Sequence, residues 1–192
     1  AVRGLEAADS VVINPHKWLF TPMDCSILLL REPERLKAAF SLVPAYLATT
    51  EQGVTNLMDY GFQLGRRFRA LKLWMVLRAF GADGVRARIE AHLAMAREFA
   101  AWVDADPGFE RVAPVTLGIV AFRARSGRDA AADDRLTDAV VGGVVARGRV
   151  FLSSSQLRGR PVLRVVVGNL RTTRAHLQAA WDDIRDVAGA LR

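Results

Sequence analysis

The chain has 192 residues, 51% of them hydrophobic, and 27 lysines and arginines against 20 acids give it a net charge of +7. That length and apolar fraction fit one globular domain or two small ones with a real core. No run of about 18 uncharged apolar residues occurs, so no membrane span is expected, and no secretory leader pattern opens the sequence.

The single cysteine, Cys25, excludes an intrachain disulfide and suits a reducing, cytoplasmic setting. His16, His92 and His176 are far apart and no paired His/Cys spacing exists, so no metal site is expected. The arginines are scattered and often alternate with acids. Their densest cluster, Arg66-Arg67-Phe68-Arg69, has no interleaved aromatic platform, so a nucleic-acid partner is not expected. A solvated or subunit-contacting basic face accounts for the charge.

In chain order, residues 1–31 read as strand, loop, strand. Ser10-Val11-Val12-Ile13 leads into Asn14-Pro15-His16-Lys17-Trp18, and Cys25 to Leu30 forms the second apolar run. Pro15 pushes Asn14 toward extended backbone and stiffens the turn. A lysine held between buried strands is costly, and desolvation favours its neutral amine, the form that makes a Schiff base with an aldehyde. His16 beside it can donate to an anion such as a phosphate. The plain alternatives are a solvent-exposed loop lysine and a turn histidine.

Glu32 to Phe40 reads as a short helix with Pro33 and acids at its start. About 41–62 lacks periodicity and reads as a long loop, of the kind that serves as a functional lid or a disordered link. A helix from Gly65 to Phe80, apolar nearly all round at Leu71, Leu73, Trp74, Met75, Val76 and Leu77, is expected to be buried on most sides, either inside a large domain or in a subunit interface, and to end at Gly81. A second helix spans Asp83 to Asp104. Asp106-Pro107-Gly108 is turn chemistry and the expected domain boundary.

Beyond it, Val112–Val115 and Leu117–Phe122 read as paired strands, and Asp133 to Arg147 as a helix. Val150–Leu152 and Val162–Val167 read as two further strands separated by a wide turn. A last helix is capped by Thr172 or Thr173, with Leu177, Trp181, Ile184 and Val187 on one stripe. The pattern is a small α+β layer of about four strands and two helices.

Several blocks in order resemble the group II pyridoxal-phosphate-dependent amino-acid decarboxylases of the aromatic-L-amino-acid type. They are Ala8-Asp9-Ser10, Asn14-Pro15-His16-Lys17-Trp18-Leu19, Asp24-Cys25-Ser26, Leu64-Gly65-Arg66-Arg67-Phe68-Arg69-Ala70-Leu71-Lys72-Leu73-Trp74, Val162-Leu163-Arg164 and Arg171-Thr172-Thr173. The resemblance implies an α/β fold, the C-terminal part of the type I pyridoxal-phosphate (aspartate aminotransferase-like) architecture. Residues 1–104 would complete the large cofactor domain, with a mobile loop at about 41–62 and connector helices. Residues 105–192 would form the small C-terminal α+β domain, and two chains would pair as a homodimer.

The resemblance implies pyridoxal 5'-phosphate as cofactor and an L-amino acid, aromatic in kind, as substrate, giving its amine and CO2. Lys17 falls on the lysine that binds the cofactor aldehyde, and His16 and Asn14 fall near the cofactor phosphate. Tyr46 falls on the loop tyrosine that protonates the substrate carbon after CO2 leaves; its plain alternative is a packing residue. Phenylalanine at that position accompanies aldehyde-forming chemistry, so tyrosine points to simple decarboxylation. Arg66 and Arg67 read as structural ion-pair formers or as lining of the dimer interface, and Trp74 and Trp181 as core rather than ligand contacts. The family's acid on the pyridine nitrogen and its ring-stacking residue fall outside these 192 residues. With Ala1 in the first place, a C-terminal fragment inactive by itself is the expectation. An aldehyde-forming or other-substrate lyase, or an inactive dimerising fragment, are the alternatives.

Overall fold

The computed structural model describes residues 3–41 and 53–192. The chain divides into two units, Ala1–Gly81 and Ala82–Arg192.

In the first unit, β1 (Ser10–Ile13) pairs antiparallel with β2 (Ile27–Leu30), with Val12 opposite Leu28 and Ile13 opposite Ile27. Between them lies the four-residue helix α1 (Pro15–Trp18). Helix α2 (Pro33–Phe40) follows β2, with Pro33 in its first turn, where a missing N–H costs nothing, and Glu34 near its positive end. A 3-10 turn, Leu57–Tyr60, precedes helix α3 (Arg69–Ala105).

Helix α3 is broken at Gly81, whose backbone (φ 66°, ψ 168°) is not helical. The break falls where the sequence places the end of one helix and the start of the next, because glycine alone adopts this conformation at little cost. The first segment departs from expectation in burial. Trp74 is 57% exposed, and Leu71, Met75 and Leu77 are also exposed. An apolar stripe shows which face a helix would bury, not what covers it. None of the described residues of this unit covers that face.

The second unit holds the core. Its sheet, in the order β3-β4-β6-β5, is antiparallel throughout: β3 (Phe109–Arg111), β4 (Ile119–Ala124), β5 (Ser153–Leu157) and β6 (Arg160–Val166). Helices α4 (Ala130–Ala146) and α5 (Arg174–Leu191) pack with it. Phe99, Phe109, Phe122 and Trp181 meet at tilted or edge-to-face angles with ring centroids 4.9–6.2 Å apart, the arrangement favoured by the ring quadrupole. Each helix start is capped by a side chain. Asp129 accepts from the Ala132 N–H at 2.7 Å. Thr173 accepts from the His176 N–H, while His176 Nδ1 accepts from the Thr173 N–H at 3.2 Å.

The β5–β6 pair differs from the sequence reading. The wide turn expected over 153–158 is instead a strand, and Val150–Leu152 lies outside it. Arg158 (φ 53°) and Gly159 (φ 74°) make a two-residue turn between Leu157 and Arg160. Two successive positive φ values match the right-handed twist of the hairpin. Ser153-Ser154-Ser155-Gln156 carries no apolar alternation because β5 is an edge strand. Arg123 reinforces the hairpin, donating from Nε to the Pro161 carbonyl at 3.0 Å and from its terminal nitrogen to the Leu157 carbonyl at 3.1 Å.

Candidate functional site

Strand β1 delivers Asn14 to the start of α1. As the residue before a proline it is kept out of the helical region (φ −109°, ψ 86°), and Pro15 then sets the first helical φ. The Lys17 N–H donates to the Asn14 carbonyl at 2.9 Å, and the Leu19 and Thr21 N–H groups both donate to the Pro15 carbonyl at 3.2 Å. Asn14 and Lys17, three apart on this turn, share one face of it. Pro15 is buried beneath them.

His16 projects to the chain that returns toward β2. Its Nδ1 lies 2.6 Å from the Cys25 carbonyl oxygen and 3.1 Å from the Cys25 nitrogen. One ring nitrogen cannot serve both, and the shorter approach to an acceptor requires the proton on Nδ1, which donates to the carbonyl. With a second proton, Nε2 also becomes a donor, directed away from the Cys25 clasp. The Ser26 hydroxyl donates to Asn14 Oδ1 at 2.6 Å. That bond orients the amide, leaving its NH2 as a donor. Cys25 is buried, with its Sγ 3.8 Å from the Arg69 carbonyl oxygen.

Lys17 is exposed, not desolvated between strands, and no ion pair or side-chain hydrogen bond holds its ammonium among the described residues. The ribbon β1–β2 has only two strands, and Val12, Leu28 and Leu29 are themselves exposed. Tyr46 lies outside the described residues. The structure therefore brings Asn14, His16 and Lys17 together on one turn and leaves Tyr46 unplaced.

Asp24 was not singled out as a site residue by sequence reasoning, yet it organises this region. Arg69 Nε donates to it at 2.9 Å, Arg67 forms a second ion pair, and Lys72 Nζ stands at 3.8 Å. The Arg69 hydrogen bond, then its own backbone N–H, hold the carboxyl down to about 2, against a smaller opposing effect of burial. The start of α3 is thus tied to the segment that clasps His16. A signal was present: the cluster Arg66-Arg67-Phe68-Arg69 calls for a counter-charge, but its partner lies 43 to 45 residues upstream. Among the described residues, no group of three His, Cys, Asp or Glu side chains is arranged to hold a metal ion, and no helix is long and apolar enough to cross a membrane.

An unengaged primary amine, an oriented amide and a clasped imidazole on a single turn can bind an aldehyde covalently and an attached anion by hydrogen bonds. The family model described as "Pyridoxal-dependent decarboxylase conserved domain" matches residues 1–125. The aromatic-L-amino-acid decarboxylase of Sus scrofa is 38% identical over 193 residues, covering 99% of this chain and 38% of that protein. The phenylacetaldehyde synthase of Arabidopsis thaliana is 36% identical, covering 99% and 40% respectively. The crystal structure of Oryza sativa TDC with PLP and tryptamine superposes with a TM-score of 0.93 at 33% identity, over 99% of this chain and 40% of that one. The chain spans about two fifths of the length of the relatives it matches.

Proposed function

Because the chain belongs to the pyridoxal-dependent decarboxylase family and has part of its α/β type I fold, we propose that the whole protein decarboxylates an aromatic L-amino acid to its amine. The α1 turn carries this reading: three groups of complementary chemistry stand within four residues, fixed by the Cys25 and Ser26 contacts. The unpaired amine and the free Asn14 NH2, joined by His16 Nε2 when the ring carries a second proton, fit an aldehyde that bears a phosphate. Bound there, pyridoxal phosphate supplies the electron sink that makes loss of CO2 feasible.

In this reading the protein's residues do four things. Lys17 Nζ would hold the cofactor through its aldehyde. The Asn14 amide and His16 Nε2 hold the phosphate. Asp24, through Arg67 and Arg69, keeps α3 against the segment that positions His16. Tyr46 delivers one proton to the substrate carbon that has lost its carboxylate. The site would have to orient the substrate carboxylate and exclude water. Residues 1–104 are read as part of the large cofactor domain, with a loop at about 41–62 that closes over the substrate, and 105–192 as the small C-terminal domain. A cytoplasmic homodimer completes the proposal.

The test is borohydride reduction of the whole protein with pyridoxal phosphate, followed by peptide mapping. The stable label is expected on Lys17 and absent from Lys17→Ala. A label on Lys72 or Lys37 instead would overturn the assignment. Similarity to a phenylacetaldehyde synthase keeps a second outcome in view, oxidative release of an aldehyde. Product analysis separates the two: amine with Tyr46, and a shift toward aldehyde in Tyr46→Phe.

A further inference from the structure

The loop between β6 and α5, residues 167–173, is held by two histidines that play opposite parts. Toward its β6 end, His92, buried on α3, donates to the Asn169 carbonyl. The same carbonyl accepts from the Thr172 N–H at 3.0 Å. At the α5 end, His176 accepts. Its Nδ1 lies 3.2 Å from the Thr173 nitrogen, and a backbone N–H can only donate. Nδ1 therefore carries a lone pair, and the proton of the neutral ring sits on Nε2.

A capping box ordinarily places glutamate or glutamine three residues after the cap. Here that position is a histidine, the side chain whose charge changes near neutral pH. A proton on Nδ1 removes the acceptor. The Thr173 hydroxyl oxygen, 3.3 Å away, can then accept from the new Nδ1–H. The Thr173 N–H gains no such replacement, because His176 Nδ1 is its one acceptor among the described residues. The other half of the box is indifferent to the ring's charge: the His176 N–H still donates to Thr173, at 3.4 Å to Oγ1 and 3.1 Å to the carbonyl.

The charged groups around His176 leave a new positive charge unmatched. Arg171 of the loop, Arg164 of β6 and Arg149 of the segment before β5 line one cavity with it, and Arg149 is already paired with Asp183. On α5 itself, Arg174 is paired at 2.6 Å with Glu98 of α3. No carboxylate pairs with His176 among the described residues, and the helix start is itself positive.

We infer that His176 makes the cap of α5 a proton-sensitive clasp: one proton gained at Nδ1 releases the Thr173 N–H and frees the loop at its α5 end, while Asn169 stays held. The other histidine does not join the change at the same pH. Burial pushes His92 below its ordinary value, so it remains neutral where an exposed histidine has begun to charge. The clasp owes nothing to Lys17 or to a cofactor.

Nitrogen-15 NMR of the chain, from about pH 7.5 to about pH 5, tests this residue by residue. At the upper end, His176 Nδ1 should resonate as a bare acceptor nitrogen and the Thr173 amide should be protected from exchange. As the ring gains its proton, the Thr173 protection factor should fall about tenfold, the worth of one cap interaction. That fall should share its midpoint with the ring titration. His176→Gln supplies a side-chain acceptor that does not titrate, so Thr173 should stay protected throughout. His176→Ala should leave it unprotected throughout. The glutamine variant retains both halves of the capping box, so the test stands even if the alanine variant fails to fold by circular dichroism. A neutral ring with its proton on Nδ1, a Thr173 amide that ignores the ring titration, or a His176→Gln chain that loses protection as the unaltered chain does would overturn the inference.

Discussion

At the scale of single residues, Asp24 and His92 show opposite ways of moving a titration with the same consequence for stability. Arg69 and Arg67 stabilise the ionised Asp24, so its carboxyl is depressed from 3.8 to about 2. A depressed acid contributes stability that is fully present above pH 3.8 and lost as pH falls through about 2. Carbon-detected NMR titration should place Asp24 near that value in the native chain. Arg69→Gln removes the largest cause, and the value should rise toward 3.8. An unchanged titration would mean the ion pair does not form.

His92 is buried, and burial pushes it below its ordinary 6.5, with a backbone contact at Asn169 opposing. The unfolded chain therefore takes up a proton before the folded one. Stability is fully present above pH 6.5 and declines as pH falls toward the lowered value. Urea midpoints should drop between pH 7.5 and the onset of that uptake, and His92→Gln should flatten this slope. The sequence identifies both residues only as members of their types. Burial and a partner many residues distant produce the shifts, and neither is visible in a local pattern.

At the scale of elements, caps and punctuation are legible and coverage is not. Thr173 before an apolar stripe and Gly81 between two periodic runs each act through backbone groups within four residues, so the sequence displays them, whereas α4 begins after its Asp129 cap, ahead of the start expected at Asp133. Strand β5 is hidden because an edge strand of serines has no apolar face to declare it. The apolar run at 71–77 identifies a helix correctly, and the large domain or subunit interface expected to bury it is not supplied by the described residues of the first unit. The same limit applies to Lys17: the turn that presents it is legible, while its exposure depends on what packs over the ribbon.

Two neighbouring glycines in α4 give a test at this scale. A Cβ on Gly143 would lie 2.6 Å from Val187 Cγ1 of α5, whereas one on Gly142 meets nothing within 4 Å. Val187 is buried and cannot swing clear. Gly143→Ala should therefore destabilise the second unit by about 1–3 kcal/mol through overpacking. Gly142→Ala should stabilise it by about 0.5–1 kcal/mol through helix propensity. Chemical denaturation of the two variants gives the comparison. A Gly143→Ala chain as stable as Gly142→Ala would show that α4 and α5 can part without cost.

At the scale of the whole molecule, the two units differ in how far each satisfies itself. The second unit closes around Phe99, Phe122, Leu163 and Ile184, all fully buried. Its one fully buried carboxylate, Asp183, is matched by Arg147 and Arg149, which tie the end of α4 to α5. The first unit is unlike it: Phe62, Phe68 and Trp74 are exposed, and its two strands lack a covering layer among the described residues. Two strands alone are marginal in water, so independent stability should reside in residues 82–192. Limited proteolysis of the chain should trim toward a resistant product beginning near Ala82, with Trp181 retained. That product should melt cooperatively, with a tryptophan signal that follows the far-ultraviolet transition. Asp183→Asn should lower its midpoint, because the amide leaves Arg149 without a charge partner and Arg147 with Asp186 alone, at 3.4 Å, in a contact that is buried on the Asp183 side. A resistant product that begins upstream of β1 would instead show that the ribbon and α1 are held as firmly as the core, and the turn bearing Lys17 would then be preorganised within this chain.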